Sequence, residues 1–227
     1  GSGALAANTT GANNVGVGSG ALATSTTTSN NTAVGKDAGA SVTTGEKNTI
    51  IGGSAGDSLS DADFNTALGF GSLGFDQKGS RSTAIGYRAL GTQRFTSSTD
   101  SHNTAVGYDA GLEITTGTQN TLIGGLAGDA VTTGTDNVAV GYLALSANQT
   151  GGNNTAVGSE ALEANTGGNN TGTGYKAMHA NTSGTNNTGV GSFSLASNTT
   201  GNSNTAIGND CMDSNTTGSN NTAVGVD

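Results

Sequence analysis

A short pattern of polar and aliphatic positions, Asn-Thr-Ala-Val-Gly at residues 31–35, recurs with small changes along the whole chain. The glycines that close it are Gly1, Gly18, Gly35, Gly52, Gly69, Gly86, Gly107, Gly124, Gly141, Gly158, Gly174, Gly191, Gly208 and Gly225. Eleven of the thirteen intervals between them equal the seventeen-residue step from Gly18 to Gly35; the interval after Gly86 is longer by four and that after Gly158 is shorter by one. A period this regular is the signature of a stacked repeat array. The pattern predicts a solenoid of about 13 coils.

The closing glycine is numbered here as position five of each repeat. Position one is Asn in twelve of thirteen copies, position two is Thr in eleven, and position four is aliphatic in all but Thr173. Because β-branched residues favour strands and strand side chains alternate between two faces, each Thr-Ala-Val triplet predicts a very short strand. Positions two and four share one face of it. We expect the position-four side chains to lie inside the coil.

Position three, on the opposite face, is Ala or Gly except at Ile50 and Leu122. A face kept this small indicates the close approach of another backbone. Ordering a coil of this length costs more free energy than its few apolar side chains return, so a partner is expected. We therefore predict that three chains associate through position three, with these residues near the interface: Ala67, Ala84, Ala105, Ala139 and Ala156.

The rest of the repeat contains Ala at position eight, usually Leu at position nine, and a turn such as Asn198 to Gly201. Gly and Asn tolerate left-handed backbone angles, and stacked Asn side chains can hydrogen-bond between coils. Gly replaces Leu at position nine in four copies, at Gly39, Gly56, Gly111 and Gly128. Ile50 and Leu122 occur in the same two stretches, where we expect them to fill the vacated volume.

The whole pattern predicts an all-β fold, a parallel β-solenoid or β-roll, formed as a single array over residues 1–227. The four extra residues after Gly86 predict an inserted surface loop at residues 91–103, because insertions in solenoids form surface loops. The single cysteine, Cys211, stands where ten other repeats have Ala and is expected to be a small buried residue. The chain begins within a repeat, which suggests a segment of a longer fibre.

Composition narrows the classes of function. With 32% apolar residues, 4% aromatics and 40 glycines, the chain cannot build an ordinary globular core, but a disordered chain has no reason to keep aliphatic residues in phase. A net charge of −9 with only seven Lys and Arg disfavours nucleic-acid binding. Neither a membrane-length apolar run nor a signal segment is present in the sequence, so no membrane insertion is expected.

The combination Asn-Thr-Ala-Val-Gly, then Ala-Leu, then Asn-Thr-Thr-Gly resembles the repeats of phage tail-fibre and "tail fiber domain" surface proteins. It is more distantly similar to the heads of YadA-type trimeric autotransporter adhesins, whose repeat is shorter. The resemblance covers essentially the whole chain. It implies a left-handed parallel β-roll, a homotrimer, and a non-catalytic role as the shaft or adhesin of an extracellular fibre, on a virion tail or a cell surface, that attaches to a host.

Two sets of residues are candidates for recognition of a host-surface glycan or receptor. The first set lies in the inserted loop and comprises Arg94, Phe95 and His102. The second is an aromatic row at position six, formed by Phe70, Tyr87, Tyr108, Tyr142 and Tyr175. Such a row could stack on sugars or simply pack along a corner of the coil.

Other chemistry is not indicated by the spacing of the residues. Asp57, Asp61 and Asp63 lack the spacing of calcium-binding loops, and His179 has no carboxylate at a recognisable spacing. We expect no metal site, no cofactor and no catalytic group, because no nucleophile is paired with a base.

Three functions remain open. The first is a structural shaft, and the second is an adhesin that binds glycan through the loop or the aromatic row. The third is an ice-binding solenoid that uses the Thr row at position two. The third function is disfavoured by the lack of a second Thr column at position three.

Overall fold

The computed structural model describes residues 1–226, which form two compact units, 1–118 and 119–226. Each unit is a parallel β-solenoid, and together they contain about 13 coils that follow the seventeen-residue repeat, which confirms the predicted fold class. Their strands are β1 (Val15–Val17), β2 (Thr32–Val34), β3 (Thr49–Ile51), β4 (Thr66–Leu68), β5 (Gly79–Ser80), β6 (Thr83–Ile85), β7 (Thr99–Asp100), β8 (Thr104–Val106), β9 (Thr121–Ile123), β10 (Val138–Val140), β11 (Thr155–Val157), β12 (Thr171–Thr173), β13 (Thr188–Val190), β14 (Thr205–Ile207) and β15 (Thr222–Val224). Within residues 1–226 there is no helix with the length and apolar character needed to cross a membrane.

The first unit stacks its three-residue strands in the order β1-β2-β3-β4-β6-β8. The same repeat positions pair in every step, as Ala67 pairs with Ala84. The pairing survives the lengthened interval after Gly86, because Thr83 of β6 still pairs with Thr104 of β8. Within the lengthened interval, β7 pairs in parallel with β5 of the preceding coil, and Gly79 faces Thr99.

The second unit stacks β9 to β15 in chain order. The shortened interval after Gly158 also leaves the register intact, since Val157 pairs with Thr173. The residue that this coil lacks is therefore missing from a turn and not from the strand.

The strands bury position three and expose position four. The fully buried position-three side chains are Ala33, Ile50, Ala67, Ala84, Ala105, Leu122, Ala139, Ala156 and Ala206. At position four, in contrast, Ile51 is 37% exposed and Val190 is 36% exposed. The prediction that position four lies inside was wrong, and so was the placement of position three at an interface between chains.

Position three is small because a side chain of its own coil wall occupies the space. A Cβ added at Gly189 would lie 2.8 Å from the Met178 side chain, and one added at Gly172 would lie 3.0 Å from Leu162. Met178 and Leu162 occupy position nine of the opposite wall. The backbone that the small residues predicted is also close, since the same added Cβ atoms would lie 3.1 Å from the Ala177 carbonyl oxygen and 3.2 Å from that of Ser194. Both belong to the chain's own opposite wall and not to a second chain.

The compensation expected around the position-nine glycines is confirmed. A Cβ at Gly39 would lie 2.9 Å from Ile50, and a Cβ at Gly128 would lie 2.7 Å from Leu122. The coil interior also changes at position twelve, which is a buried Asn in regular coils such as that of Asn198. In the glycine-containing coils this position is aliphatic: Val42, Leu59, Ile114 and Val131.

The wall opposite the strands has an unusual backbone. Residues at positions seven and nine have positive φ, including the buried Leu145 (58°) and Leu162 (52°), a region that large side chains rarely adopt. The amide groups there alternate in their partners: Asn165 donates to Leu162 one turn back, whereas Leu162 donates to Ala177 of the next coil. The backbone is therefore satisfied both locally and between coils.

The Asn at position one forms a buried ladder between coils. Asn48 donates from its side chain to the carbonyl of Ala62 (2.8 Å), and its backbone amide donates to the side-chain oxygen of Asn31 (2.9 Å). Asn187 repeats these contacts with Gly201 and Asn170. Because a buried polar group needs a partner, only a side chain with both a donor and an acceptor suits this position.

Candidate functional site

The outward face of the strands is a regular apolar surface in each unit. The position-four side chains form a row along this face, with the position-two side chains, mostly Thr, in a parallel row. The more exposed aliphatic members are Val17, Ile51 and Leu68 in the first unit, and Ile123, Val157, Val190, Ile207 and Val224 in the second. An apolar row this regular marks an interaction surface more often than isolated exposed side chains do.

The aromatic row at position six is exposed, as the sugar-stacking and the corner-packing interpretations both require. In the first unit Phe70 stacks on Tyr87 with ring centroids 6.0 Å apart, and Tyr87 stacks on Tyr108 at 5.3 Å. In the second unit Tyr175 meets Phe193 edge to face at 5.3 Å, and Ser159 stands at position six between Tyr142 and Tyr175. The rings thus form local clusters, and in the first unit Tyr87 is stacked by two neighbouring rings, whereas Phe70 is stacked by one.

The inserted segment does not bring its three candidate residues together on one surface. Arg94 and His102 are exposed, whereas Phe95 is only 6% exposed. The Phe95 amide donates to the Asp76 carboxylate (3.0 Å), and its carbonyl accepts from the Lys78 amide (2.9 Å). Phe95 therefore anchors the insertion to the coil, and its buried ring is not exposed for recognition of a ligand.

Under the insertion lies a buried polar network that replaces the regular Asn ladders. The amide nitrogen of Gln93 donates to Asp76 (2.5 Å) and to the Ser82 hydroxyl (2.9 Å), while its oxygen accepts from Asn103 (2.8 Å). The Asp76 carboxylate also accepts from the amide of Gly79. These contacts satisfy a fully buried carboxylate, so the network stabilises the irregular coils and is closed to solvent.

The wall opposite the strands has a solvent-facing side, called the outer wall here. In the first unit a groove of about 350 Å³, named here the Phe75 groove, lies on it. Its residues come from four successive coils: Ser54, Asp57, Ser58, Phe70, Gly71, Gly74, Phe75, Tyr87, Arg88, Gly91, Thr92 and Leu112. Phe75 is 63% exposed and Phe70 is 58% exposed. A second depression is lined by Phe75, Thr92, Arg94 and Thr115. Phe75 and Thr92 line both, so Arg94 of the loop set borders a depression next to the groove that contains Phe70 and Tyr87.

The Phe75 groove contains charges of both signs. Partial burial raises the pKa of the Asp57 carboxyl above its usual value. Arg88 lies over the Tyr87 ring, 5.9 Å from its centroid, and its Nε is 4.0 Å from the Asp109 carboxylate. This contact is longer than a hydrogen bond. Arg88 can therefore donate hydrogen bonds to a ligand. The Asp57 carboxylate accepts from the Ser58 side chain, and a carboxylate has about four lone pairs with which it can accept more than one hydrogen bond.

The aspartates considered for calcium have separate partners. Asp61 lies 3.0 Å from the Lys78 ammonium, and this hydrogen bond together with that from Thr44 lowers the pKa of the Asp61 carboxyl. Asp63 accepts from the amide of Glu46 (2.7 Å), and Asp57 lines the groove. These separate contacts give the three carboxylates no common cation position.

His179 does have carboxylate neighbours, because it and Glu163 both occupy position ten in successive coils. Glu163 Oε2 lies 3.2 Å from His179 Nδ1, and Glu160 Oε2 lies 3.2 Å from the Lys176 ammonium. Glu160, Glu163 and His179 could in principle share a metal ion. Lys176 already neutralises Glu160, and this contact raises the pKa of the Lys176 ammonium. The group is a polar cluster of the outer wall that contains the Glu160–Lys176 ion pair.

No protein-family model, no curated protein and no solved structure matches the chain. The fold defines it as a protein of the parallel β-solenoid class. The outward strand face and the outer wall are its two candidate interaction surfaces.

Sequence reasoning missed the Phe75 groove, although the repeat contained a signal for it. Gly71 and Gly74 make this the one coil with Gly at both position seven and position ten, and Phe75 is the one aromatic at position eleven. Three departures from the repeat within so short a stretch could have been recognised as a local surface feature.

Proposed function

We propose that the chain is a non-catalytic structural segment of an extracellular surface fibre, such as a phage tail fibre, and that three copies associate through the outward strand face. The observation that supports this proposal is the regular row of half-exposed aliphatic side chains at position four. The number three and the fibre context come from the resemblance of the repeats to tail-fibre proteins.

A second copy of the chain is the partner that this face suits best. Each strand contributes one aliphatic residue and one small polar residue in the same register, for example Thr188 and Val190 beside Thr205 and Ile207. A copy with the same coil spacing can bury every member of the row at once, and each buried Å² of apolar surface contributes about 25 cal/mol. Only a partner with the same period meets this requirement along the whole row.

Paired charges on this face provide the test. Val157→Glu combined with Val190→Glu places two carboxylates on alternate strands of the second unit, where a lone chain can solvate them but an interface cannot. The matched control is Thr150→Glu with Ser183→Glu, which adds the same charge at exposed turn positions two coils apart. Light scattering should give three times the chain mass of 21.8 kDa for the parent and the control.

The variant with charges on the strand face should give the mass of a single chain with an unchanged circular dichroism spectrum. A parent protein that is monomeric at all concentrations, or a charged variant that assembles like the parent, would refute the proposed interface.

Ice binding is a second candidate, supported by one observation. The Thr column at position two lies on the outward face beside the position-four column, so the strand face presents two regular columns, not one. The second column is aliphatic, which makes this candidate the weaker of the two. A monomeric parent that shows thermal hysteresis would favour it, and the absence of hysteresis would remove it.

A further inference from the structure

We propose that the Phe75 groove is a binding site for a neutral oligosaccharide. All residues that line it belong to the first unit of a single chain. The proposal is therefore independent of the fibre function and of the association of three chains.

The space in the groove comes from local glycines. Positions seven and ten project from the outer wall, and the neighbouring coils carry Ser54 and Asp57, or Arg88 with Gly91, at these positions. In the coil between them both positions are glycine, at Gly71 and Gly74. The resulting volume of about 350 Å³ lies at the lower end of the range for small-molecule sites.

The aromatic side chains are held at the groove although they are exposed to water. Phe75 and Phe70 both contribute to its lining, and each is more than half exposed. Phe75 replaces the small residue found at position eleven in most other coils, such as Ser58 and Thr92. An exposed aromatic ring costs solvation free energy unless something covers it. The apolar C–H face of a sugar ring is a covering group of suitable size.

The polar groups favour a neutral ligand that carries hydroxyl groups. Asp57 offers acceptor oxygens, Arg88 offers guanidinium donors, and Ser54 and Ser58 can do both. A sugar hydroxyl both donates and accepts, so adjacent hydroxyls can bond to a carboxylate and a guanidinium together. One charge of each sign lies in the lining, so a charged ligand that is attracted by one of them is repelled by the other and gains little net electrostatic attraction. The pair therefore selects against strongly charged ligands.

A glycan array with neutral, sialylated and sulfated oligosaccharides tests the ligand class, and calorimetric titration of the strongest neutral binder measures its affinity. We expect neutral oligosaccharides to bind. Phe75→Ala should weaken the affinity roughly tenfold or more through the lost apolar contact. Asp57→Asn should weaken it several-fold, because hydrogen bonds to a charged acceptor are stronger than those to a neutral one.

The matched control is Phe64→Ala, which removes an exposed Phe of the same unit that lies outside the groove, between the charged groups of Lys47 and Arg81. It should bind the oligosaccharide as the parent does. The proposal is overturned if no neutral oligosaccharide binds, if only sialylated or sulfated ones bind, or if Phe75→Ala binds as tightly as Phe64→Ala. Because Phe75 lies on the outer wall, its substitution should leave the mass of the assembly unchanged.

Discussion

The buried Asn at position one connects each coil to both of its neighbours. The Asn187 side chain accepts a hydrogen bond from the Asn204 backbone amide (2.9 Å) and donates to the Gly201 carbonyl (2.8 Å). The backbone amide of Asn187 donates in turn to the side-chain oxygen of Asn170. Its side chain thus supports the backbone of the following coil, while its position depends on the preceding one. A thin coil with few large apolar side chains gains much of its specificity from such contacts.

Loss of one Asn from this ladder should have a large effect. Asn187→Ala leaves the buried Asn204 amide without a partner and removes one of the two side-chain hydrogen bonds to the Gly201 carbonyl, to which Asn198 still donates. We therefore expect the free energy of unfolding to fall by about 1 to 3 kcal/mol. Urea unfolding followed by circular dichroism measures this change. Asn209→Ala is the control, because Asn209 is exposed and bonds only to the adjacent Asp210 side chain. Equal losses in both variants would contradict the role given to the ladder.

At the residue scale the sequence predicted stacked Asn side chains correctly, because a polar residue kept in phase with a solenoid repeat indicates hydrogen bonding from coil to coil. It did not predict the positive φ of Leu145 and Leu162. Propensity assigns such angles to Gly and Asn, and the wall adopts them because inter-coil hydrogen bonds outweigh the local strain.

At the element scale the strands contain two adjacent residues with opposite environments. Ile50 is fully buried between the glycines of position nine, and Ile51 lies on the outward face. The sequence predicted the strand itself and the filling role of Ile50, since alternation and glycine content are visible in the repeat. It inverted the inside and the outside, because a three-residue strand with Ala on one face and Val on the other gives no measure of which face is closed.

The two isoleucines test this assignment directly. Ile50→Ala should lower the free energy of unfolding by about 2 to 5 kcal/mol, because the flanking Gly39 and Gly56 have no side chains that could fill the cavity. In the Val157→Glu, Val190→Glu background, which is designed to be monomeric, Ile51→Ala removes the same number of atoms from a half-exposed site and should cost less than half as much as Ile50→Ala in that background. Thermal or urea unfolding of the two variants compares them. A larger loss of stability for Ile51→Ala would mean that position four, and not position three, faces the coil interior.

At the scale of the whole molecule, 32% apolar residues are enough for the solenoid because its interior needs so little volume. Ala at position three faces Leu or Met at position nine, and backbone and Asn ladders supply the remaining contacts between coils. Because the side chains at positions three and nine already fill this narrow interior, the position-four aliphatic side chains lie outside it. The composition therefore accounts for both the narrow core and the apolar outer row that we assign to chain association.

The most direct test of that association is the reactivity of a thiol placed in the row. In a Cys211→Ala background, Val190→Cys lies on the proposed interface, and Ser183→Cys lies on an exposed turn of the same unit. Maleimide should label the Val190→Cys protein much more slowly than the Ser183→Cys protein at concentrations where the chain is assembled. The difference should shrink when Val157→Glu weakens the interface. Equal labelling rates in the assembled protein would show that solvent reaches the row and would contradict the proposed association.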